Sequence, residues 1–363
     1  MKHSPLFFNI HNLTSIAVYG GKNEKNKIKR ILSNFLVSEI SSTPVITFYP
    51  TENAPKPKGD YIIGSERYFF QNKDSNSSIL YFEKENTTLK VLRKHEDTFY
   101  EIYTKNIDWL YLLLQLNFLK KNCTFLHAGA FSYQGKGILL PAWGGTGKTL
   151  AIGNLIKEER VGFLGDDFVI ISANGKIYNF PRPLVLYSYH AGTFPKVFRK
   201  SLIVKLSLLE KIRSEARKVA KPFPKLRQWG YRILPRGAIS VPVERVVPQE
   251  KIKNSVPASI VLFLVRYSGS SLKTEPIDPQ ELSNMALGIT HYELSLSNIT
   301  QLLMVPAIFS LANLEEYFSK PKKIFQSFLE KTKCQKILIP TKTSGDEVSE
   351  YLFKIVKSHL ANR

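Results

Sequence analysis

A glycine-rich loop between a predicted strand and a predicted helix is the feature that most restricts how this chain can fold. The segment Ala142-Trp143-Gly144-Gly145-Thr146-Gly147-Lys148-Thr149 follows a strand predicted over Gly137–Pro141 and precedes a helix predicted over Thr149–Lys157. Glycines let backbone N–H groups converge on phosphate oxygens, and the start of the helix adds the positive end of its dipole. The lysine reaches the outer phosphates and the hydroxyl binds Mg²⁺. The pattern predicts a phosphate-binding loop in which Ala142 replaces the usual first glycine.

We expect this loop to bind ATP or GTP together with Mg²⁺. The predicted nucleotide-binding residues are Trp143, Gly144, Gly145, Thr146, Gly147, Lys148, Thr149 and Leu150. Such a site also needs a carboxylate on the metal and often a second one near the attacking group. Asp166 and Asp167 follow Lys148 by 18 and 19 residues, between strands predicted over Gly162–Leu164 and Phe168–Ser172. Asp167 is predicted to hold Mg²⁺ with Thr149, and Asp166 is predicted to accept the proton of the attacking hydroxyl.

The length of 363 residues favours two domains, and we expect the fold class to be α/β. Residues 1–105 are predicted to form a smaller N-terminal α/β accessory domain, and residues 106–363 the domain with the glycine-rich loop. The second domain is expected to begin with an apolar helix over Asn106–Lys121 and to end with an amphipathic helix over Asp346–Leu360, capped by Ser344. In the first domain we predict a helix over Lys25–Val37 and strands over Ser15–Tyr19, Pro44–Tyr49, Asp60–Gly64, Ser78–Phe82 and Thr88–Leu92. In the second domain we predict strands over Phe125–Phe131, Ser259–Arg266 and Ile337–Pro340 and a helix over Pro279–Leu287.

Basic residues are concentrated in one segment of the second domain. The chain has 51 Lys and Arg against 30 Asp and Glu, and residues 196–236, a basic insertion, hold thirteen of the basic residues and only Glu210 and Glu215 as acids. This excess points to a polyanionic partner. The alternative to a binding surface is that these cations lie on a helical face exposed to solvent and that the aromatic residues near them belong to the core. Predicted RNA contacts are Lys196, Arg199, Lys200, Arg213, Arg217, Lys218, Lys225, Arg227 and Arg232.

Aromatic residues accompany these cations. They are Phe194, Phe198, Phe223, Trp229 and Tyr231. Cations follow backbone phosphates and aromatic rings stack on unpaired bases. The combination predicts contact with RNA.

Several classes of protein are disfavoured by composition. Two distant cysteines, Cys123 and Cys334, fit neither a disulfide framework nor a zinc motif, so we expect no structural metal. No apolar run approaches the length of a membrane helix, and Met1–Ile10 has no apolar stretch of secretory-signal length. The expectation is a cytoplasmic protein without a membrane partner. The sequence does not indicate an oligomeric state.

Together these motifs resemble the HPr kinase/phosphorylase-like P-loop kinases, whose fold is related to that of phosphoenolpyruvate carboxykinase. The resemblance covers residues 125–172: a Leu126-His127-Ala128-Gly129-Ala130 run, a hairpin through Gly135, the glycine-rich loop, and Gly165-Asp166-Asp167. It implies a P-loop kinase core that transfers a γ-phosphate to a hydroxyl. It also implies that His127, with Lys148 and Asp166, belongs to the catalytic group, near the reacting phosphate.

The acceptor hydroxyl is expected to be a ribose 2′-hydroxyl of tRNA. The chain is similar to HPr-kinase-like RNA kinases of the archaeal type in having the same core, an added N-terminal domain and a strong basic bias. Two alternatives stay open within the same family, a protein-serine kinase and a free-serine kinase. A third alternative is a non-catalytic, nucleotide-sensing regulator that binds nucleic acid.

Overall fold

The structure is a computed structural model that describes residues 4–51, 55–63, 65–95, 97–220, 237–296 and 298–361. The protein is mixed α/β, with two large β-sheets and helices packed between and around them. The strands described are β1 (Leu6–Ile10), β2 (Thr14–Val18), β3 (Leu36–Val37), β4 (Ile46–Tyr49), β5 (Tyr61–Ile63), β6 (Glu66–Asp74), β7 (Ser77–Phe82), β8 (Thr87–Lys94), β9 (Asp97–Tyr103), β10 (Cys123–Tyr133), β11 (Lys136–Pro141), β12 (Val161–Gly165), β13 (Phe168–Ser172), β14 (Lys176–Tyr178), β15 (Leu184–Tyr187), β16 (Ala238–Val241), β17 (Ser255–Tyr267), β18 (Lys273–Pro276) and β19 (Lys333–Pro340).

The helices pack on these sheets and connect their strands. Those described are α1 (Lys22–Leu32), α2 (Asp108–Lys120), α3 (Lys148–Leu155), α4 (Lys200–Ala220), α5 (Pro279–Leu296), α6 (Ile299–Ile308), α7 (Leu314–Leu329) and α8 (Gly345–Ala361). The helix predicted over Pro279–Leu287 continues to Leu296, and the one predicted over Lys25–Val37 is also wrong at its end. The helix stops at Leu32, because Leu36 and Val37 pair with β1 as an edge strand.

The first sheet is built from the N-terminal residues and has the order β3-β1-β2-β4-β9-β8-β7-β6-β5. Its centre is parallel, from β2 through β4 to β9, and its remaining pairs are antiparallel. All five strands predicted in this region are present, within two residues of their predicted bounds. The strands β1, β3, β6 and β9 were not predicted.

The second sheet carries the glycine-rich loop and has the order β11-β10-β13-β14-β17-β19-β18, with β12 on β10 and β11 also paired to β17. The pairs β11–β17 and β17–β19 are parallel. The long strand β10 changes partner part-way along, from β13 at its first half to β12 at its second half. The pairing is interrupted at residues 128 and 129 of β10, opposite the two-residue bend at 166 and 167 that separates β12 from β13.

Helix α2 joins the two sheets. It is apolar almost all round, and Trp109, Leu112 and Leu113 are fully buried. Residues of the first sheet, of α2 and of β10 belong to one continuous hydrophobic cluster. The predicted domain boundary at residues 105 and 106 therefore falls between β9 and α2, and the hydrophobic core continues across it.

The last helix, α8, is held against α3, the helix that follows the glycine-rich loop. Ser344 Oγ accepts from the Glu347 N–H at 3.2 Å, and the Glu347 carboxylate accepts from the Ser344 N–H at 2.8 Å, which is a capping box. The predicted cap at Ser344 is confirmed. Asn154 Nδ2 on α3 donates to Asp346 Oδ1 on α8 at 2.5 Å. In the described ranges, every helix is too short or too polar to cross a lipid bilayer.

Candidate active site

Strand β10 brings the loop and the two aspartates to one place. Ala128 pairs with Pro141, the last residue of β11, so the glycine-rich loop begins beside Ala128. On the other side His127 pairs with Phe168, and Ala130 pairs with Gly165. The bend between β12 and β13, which carries both aspartates, therefore lies beside the middle of β10, next to the loop. The sequence predicted both motifs, and the register of β10 explains why they meet.

A glycine at the centre of this strand lets α3 approach it. A Cβ on Gly129 would lie 2.5 Å from Ile152 Cδ1 and 3.7 Å from Lys148 Cβ of α3, so a larger residue would require the Ile152 side chain to move. The loop itself needs left-handed backbone at Gly145 (φ 81°) and Gly147 (φ 99°), a conformation that glycine adopts without strain. Gly147 is also the N-cap of α3, so the loop ends at a helix N-terminus. An anion in the loop would meet the backbone N–H groups of the first helical turn there.

Lys148 folds back into the loop that precedes it. Its Nζ donates to the Ala142 carbonyl oxygen at 2.6 Å and lies 3.3 Å from His127 Nε2, and the residue is 7% exposed. Burial lowers the Lys148 pKa, although the carboxylates of Asp166, Asp167 and Glu293 act to raise it. The Ala142 carbonyl oxygen thus holds the ammonium group at the mouth of the loop, beside His127.

Thr149 and Asp166 are directly bonded. Thr149 Oγ1 donates to Asp166 Oδ2 at 2.8 Å, and Asp166 Oδ1 is buried without a hydrogen-bond partner among the described groups. Burial raises the Asp166 pKa to about 6, and the Thr149 hydrogen bond and the Lys148 charge oppose that rise. The hydroxyl predicted to bind Mg²⁺ therefore contacts Asp166, the aspartate that was predicted to act as the base.

Asp167 has different neighbours. Its Oδ2 accepts from Arg182 Nη1 at 2.7 Å, and its Oδ1 lies 3.3 Å from His127 Nδ1. Burial acts to raise the Asp167 pKa, but the His127 contact and the Arg182 charge outweigh it and hold the pKa below its usual value. His127 thus lies between Asp167 and Lys148. The Nδ1 contact with Asp167 is a close approach without hydrogen-bond geometry.

Sequence reasoning missed Arg182, which organises this side of the site. Its guanidinium lies over the rings of Tyr111 and Phe168, with centroid distances of 5.0 and 5.4 Å. Tyr111 belongs to α2 and Phe168 to β13, so the helix that joins the sheets and a strand of the second sheet both contribute to its position. The weak signal in the sequence was its place between two prolines, Pro181 and Pro183, shortly after the aspartates.

These groups line a cleft of about 520 Å³. Its wall includes seven of the eight predicted nucleotide-binding residues, together with His127, Asp166 and Asp167. Its full lining is His127, Gly144, Gly145, Thr146, Gly147, Lys148, Thr149, Leu150, Asp166, Asp167, Arg182, Pro183, Leu184, Val185, Tyr187, Tyr189, His190, Arg266 and Glu293. The eighth, Trp143, is half-exposed, and its ring centroid lies 4.9 Å from that of Tyr292.

Part of the predicted RNA surface is described. Lys196, Arg199, Lys200 and Lys218 are exposed, and Arg213 is half-buried on α4. Lys218 pairs with Glu215 at 2.8 Å. The predicted contacts Lys225, Arg227 and Arg232 lie outside the described residues, as does the side chain of Arg217.

Two of the five aromatic residues near these cations, Phe194 and Phe198, are described by the structure. Phe194 is buried and packs closely on Gly153 of α3, where a Cβ would lie 2.4 Å from its ring. Phe198 is partly buried and packs against the same hydrophobic cluster. The prediction that Phe194 stacks on RNA is wrong, because its ring completes the core beneath the loop helix. Phe223, Trp229 and Tyr231 lie outside the described residues.

The described residues hold no cluster of three or more histidine, cysteine, aspartate or glutamate side chains that could bind a metal ion. Mg²⁺ at a nucleotide site is usually held by one or two protein groups plus phosphates, and needs no such cluster. No protein-family model matches this sequence, and a comparison with curated proteins finds no significant match.

Proposed function

We propose that this protein is a kinase that transfers the γ-phosphate of ATP or GTP to a hydroxyl group, with a P-loop core of the HPr kinase-like type. The observation that carries the proposal is the convergence of Lys148, Thr149, Asp166 and Asp167 on one cleft at the start of α3. These residues supply what phosphoryl transfer requires: backbone donors for phosphates, a lysine, a metal-binding hydroxyl and two carboxylates.

The residues present fit a magnesium ion. Asp166 Oδ1 is buried without a partner among the described groups, and Asp166 Oδ2 and Thr149 Oγ1 are already joined, so oxygen ligands of the kind Mg²⁺ prefers lie together. A bound Mg²⁺ would neutralise charge on the outer phosphates. This geometry supports giving the metal role to Thr149 and Asp166.

Asp167 is then the group available to the acceptor. It is more exposed than its neighbour His127, and the His127 contact and the Arg182 charge keep it ionised. In the proposed reaction Asp167 takes the proton of the acceptor hydroxyl as the new oxygen–phosphorus bond forms and the bond to the nucleoside diphosphate breaks. The opposite division, with Asp166 as base, is supported by its pKa of about 6, because a base works best near the operating pH. The Thr149 hydrogen bond is the stronger argument, because it places Asp166 beside the hydroxyl proposed to bind the metal. A cation bound there would lower the Asp166 pKa and remove the advantage of a value near 6.

We propose RNA, and specifically a ribose 2′-hydroxyl of tRNA, as the acceptor. The support is the group of exposed cations Lys196, Arg199 and Lys200, which comes shortly after cleft-wall residues 187–190 along the chain. Lysine and arginine neutralise backbone phosphates and release their counterions. An RNA strand bound along these cations would approach the carboxylates from the side of residues 187–190.

A polypeptide acceptor is a second candidate, favoured by a different observation. Val204, Leu208 and Ile212 form an exposed apolar stripe at four-residue spacing along α4. Lys205 and Lys211 are exposed beside the stripe. An apolar ridge of this kind fits an amphipathic acidic segment better than a phosphate backbone.

One experiment separates these acceptors. The purified protein is incubated with γ-labelled ATP or GTP and Mg²⁺, and with total tRNA, total protein or free serine in parallel. We expect label on tRNA. Label on polypeptide would support the second candidate, label on free serine would support a small-molecule kinase, and no turnover of nucleotide would leave a binding regulator.

A further inference from the structure

A turn at the edge of the cleft, residues 187–190, presents a flat aromatic surface that the proposed reaction does not use. The rings of Tyr187 and Tyr189 are parallel within 4°, with centroids 5.5 Å apart, and the Tyr189 ring also lies 4.3 Å from that of His190. Tyr189 nevertheless keeps 60% of its surface exposed. This exposed ring, which packs beside two other rings on a cleft wall, is a surface that a flat ligand can cover.

Hydrogen bonds hold the turn in place. The Tyr187 N–H donates to His190 Nδ1 at 2.9 Å, and Ser188 Oγ donates to Glu210 Oε2 of α4 at 3.0 Å. His190 is buried, and burial lowers its pKa to about 4, so its Nδ1 stays an acceptor at neutral pH. These bonds fix the backbone turn that carries Tyr189, and its ring packs beside Tyr187 and His190, so less entropy is lost when a ligand binds.

The Tyr189 ring lies on the wall of the cleft with the proposed catalytic carboxylates, and it precedes the cations proposed to bind RNA by a few residues. Tyr187, Tyr189 and His190 line the cleft that contains Asp166 and Asp167. The exposed cations Lys196, Arg199 and Lys200 begin six residues after His190 and end ten residues after it. The open ring therefore lies on the cleft wall, at the start of the chain segment that leads to the cations.

We propose that Tyr189 is a stacking platform for a base of the acceptor nucleic acid, next to the nucleotide that receives the phosphate. The proposal rests on the proposed function, because it takes RNA as the acceptor. The platform would fix the register of the strand, so that one ribose hydroxyl reaches Asp167.

A nucleobase suits this surface better than an aromatic side chain of a peptide. Every base has a flat face that can stack on tyrosine whatever the sequence, so one ring serves any strand. The backbone phosphates of the same strand would meet the cations that follow the turn. A peptide would meet both surfaces only if an aromatic side chain and acidic side chains occurred at matching positions, whereas every nucleotide carries a base and a phosphate.

The test compares two labelled oligonucleotides of equal length, an unstructured oligoribonucleotide and its abasic counterpart, which has the same phosphates without bases. Wild-type protein is expected to bind the first about 5- to 150-fold more tightly, the range that stacking of one base supplies. Tyr189→Ala is expected to remove most of this preference, and Tyr189→Phe to keep it. Tyr61→Ala is the matched control, since Tyr61 is also exposed but belongs to the edge strand β5 of the first sheet.

Each contrary outcome has a separate meaning. Equal binding of both oligonucleotides by wild-type protein would show that Tyr189 is not a stacking platform, and would not contradict the proposal that RNA is the acceptor. Binding of neither would overturn the RNA acceptor and the platform with it. If Tyr189→Ala weakens binding of a fluorescent ATP analogue while base preference persists, the ring serves the donor nucleotide and the proposal is wrong.

Discussion

Thr149 Oγ1 donates a hydrogen bond to Asp166 Oδ2 at 2.8 Å, which joins the first helical turn after the glycine-rich loop to the bend between β12 and β13. The two residues are 17 positions apart and meet because both motifs flank the middle of β10. The two aspartates therefore have different partners, because Asp167 accepts a hydrogen bond from Arg182.

The first prediction concerns magnesium. Thr149→Ala and Asp166→Asn are each expected to raise the Mg²⁺ concentration needed for half-maximal nucleotide turnover by about tenfold or more, because losing even an outer-shell partner of a metal ligand costs about tenfold. Asp167→Asn is expected to lower the maximal rate with little change in that concentration. Mg²⁺ titrations of turnover measure both effects. The reverse pattern would return the metal role to Asp167 and the base role to Asp166.

The second prediction concerns stability and pH. Because burial raises the Asp166 pKa from 3.8 to about 6, the folded protein binds this proton more tightly than the unfolded chain does. The resulting stability is complete below the unfolded-state pKa and is lost as pH rises through about 6. Asp166→Asn does not ionise, so its free energy of unfolding relative to wild type should increase between about pH 4.5 and about pH 7.5, by at most about 2 kcal/mol. Urea unfolding without Mg²⁺ or nucleotide measures this, and a difference that is constant with pH would contradict it.

The third prediction concerns Arg182. The His127 contact and the Arg182 charge hold the Asp167 pKa down against burial. Arg182→Ala is therefore expected to raise the Asp167 pKa and to move the acidic limb of the pH–rate profile to higher pH. Arg182→Lys keeps the charge and should shift the limb less. An acidic limb that does not move in Arg182→Ala would show that Asp167 does not control the rate.

Much of the candidate site was predictable because its motifs are local. The glycine-rich loop and the aspartate pair each occupy a short stretch with recognisable neighbours, and the strand and helix around the loop follow from apolar periodicity. The different surroundings of Asp166 and Asp167 were not predictable, because they depend on which partner each carboxylate meets across β10. Arg182 was missed for the same reason, since Tyr111 and Phe168 come from distant elements.

The fold was predictable where strands and helices have ordinary patterns, and was missed where they do not. Pro306 lies inside α6 and Pro321 inside α7, and a proline normally argues against a helix interior. Leu36 and Val37 continue an apolar pattern past Leu32, which extended the predicted helix, but pairing with β1 takes them into a strand. Pairing of this kind is a tertiary effect that local patterns do not contain.

The fourth prediction concerns the exposed cations. Arg199→Ala combined with Lys200→Ala is expected to weaken tRNA binding and to reduce the log–log salt slope by about 1.5 units, the contribution of two phosphate contacts. The matched control is Lys322→Ala with Lys323→Ala, an adjacent exposed pair on α7. An equal reduction in the control would mean that binding follows net charge and not this surface.

The most direct test of the central claim is transfer of label from γ-labelled ATP or GTP by wild-type protein and by Lys148→Ala. Lys148 lies at the mouth of the loop, with its Nζ 2.6 Å from the Ala142 carbonyl oxygen, so its loss should remove the main cation that meets the outer phosphates. We predict a loss of at least about 100-fold, as for removal of a key transition-state donor, with an unchanged circular dichroism spectrum. Lys157→Ala, at an exposed position just beyond the same helix, should transfer label like wild type. Equal transfer by Lys148→Ala and wild-type protein would contradict the account.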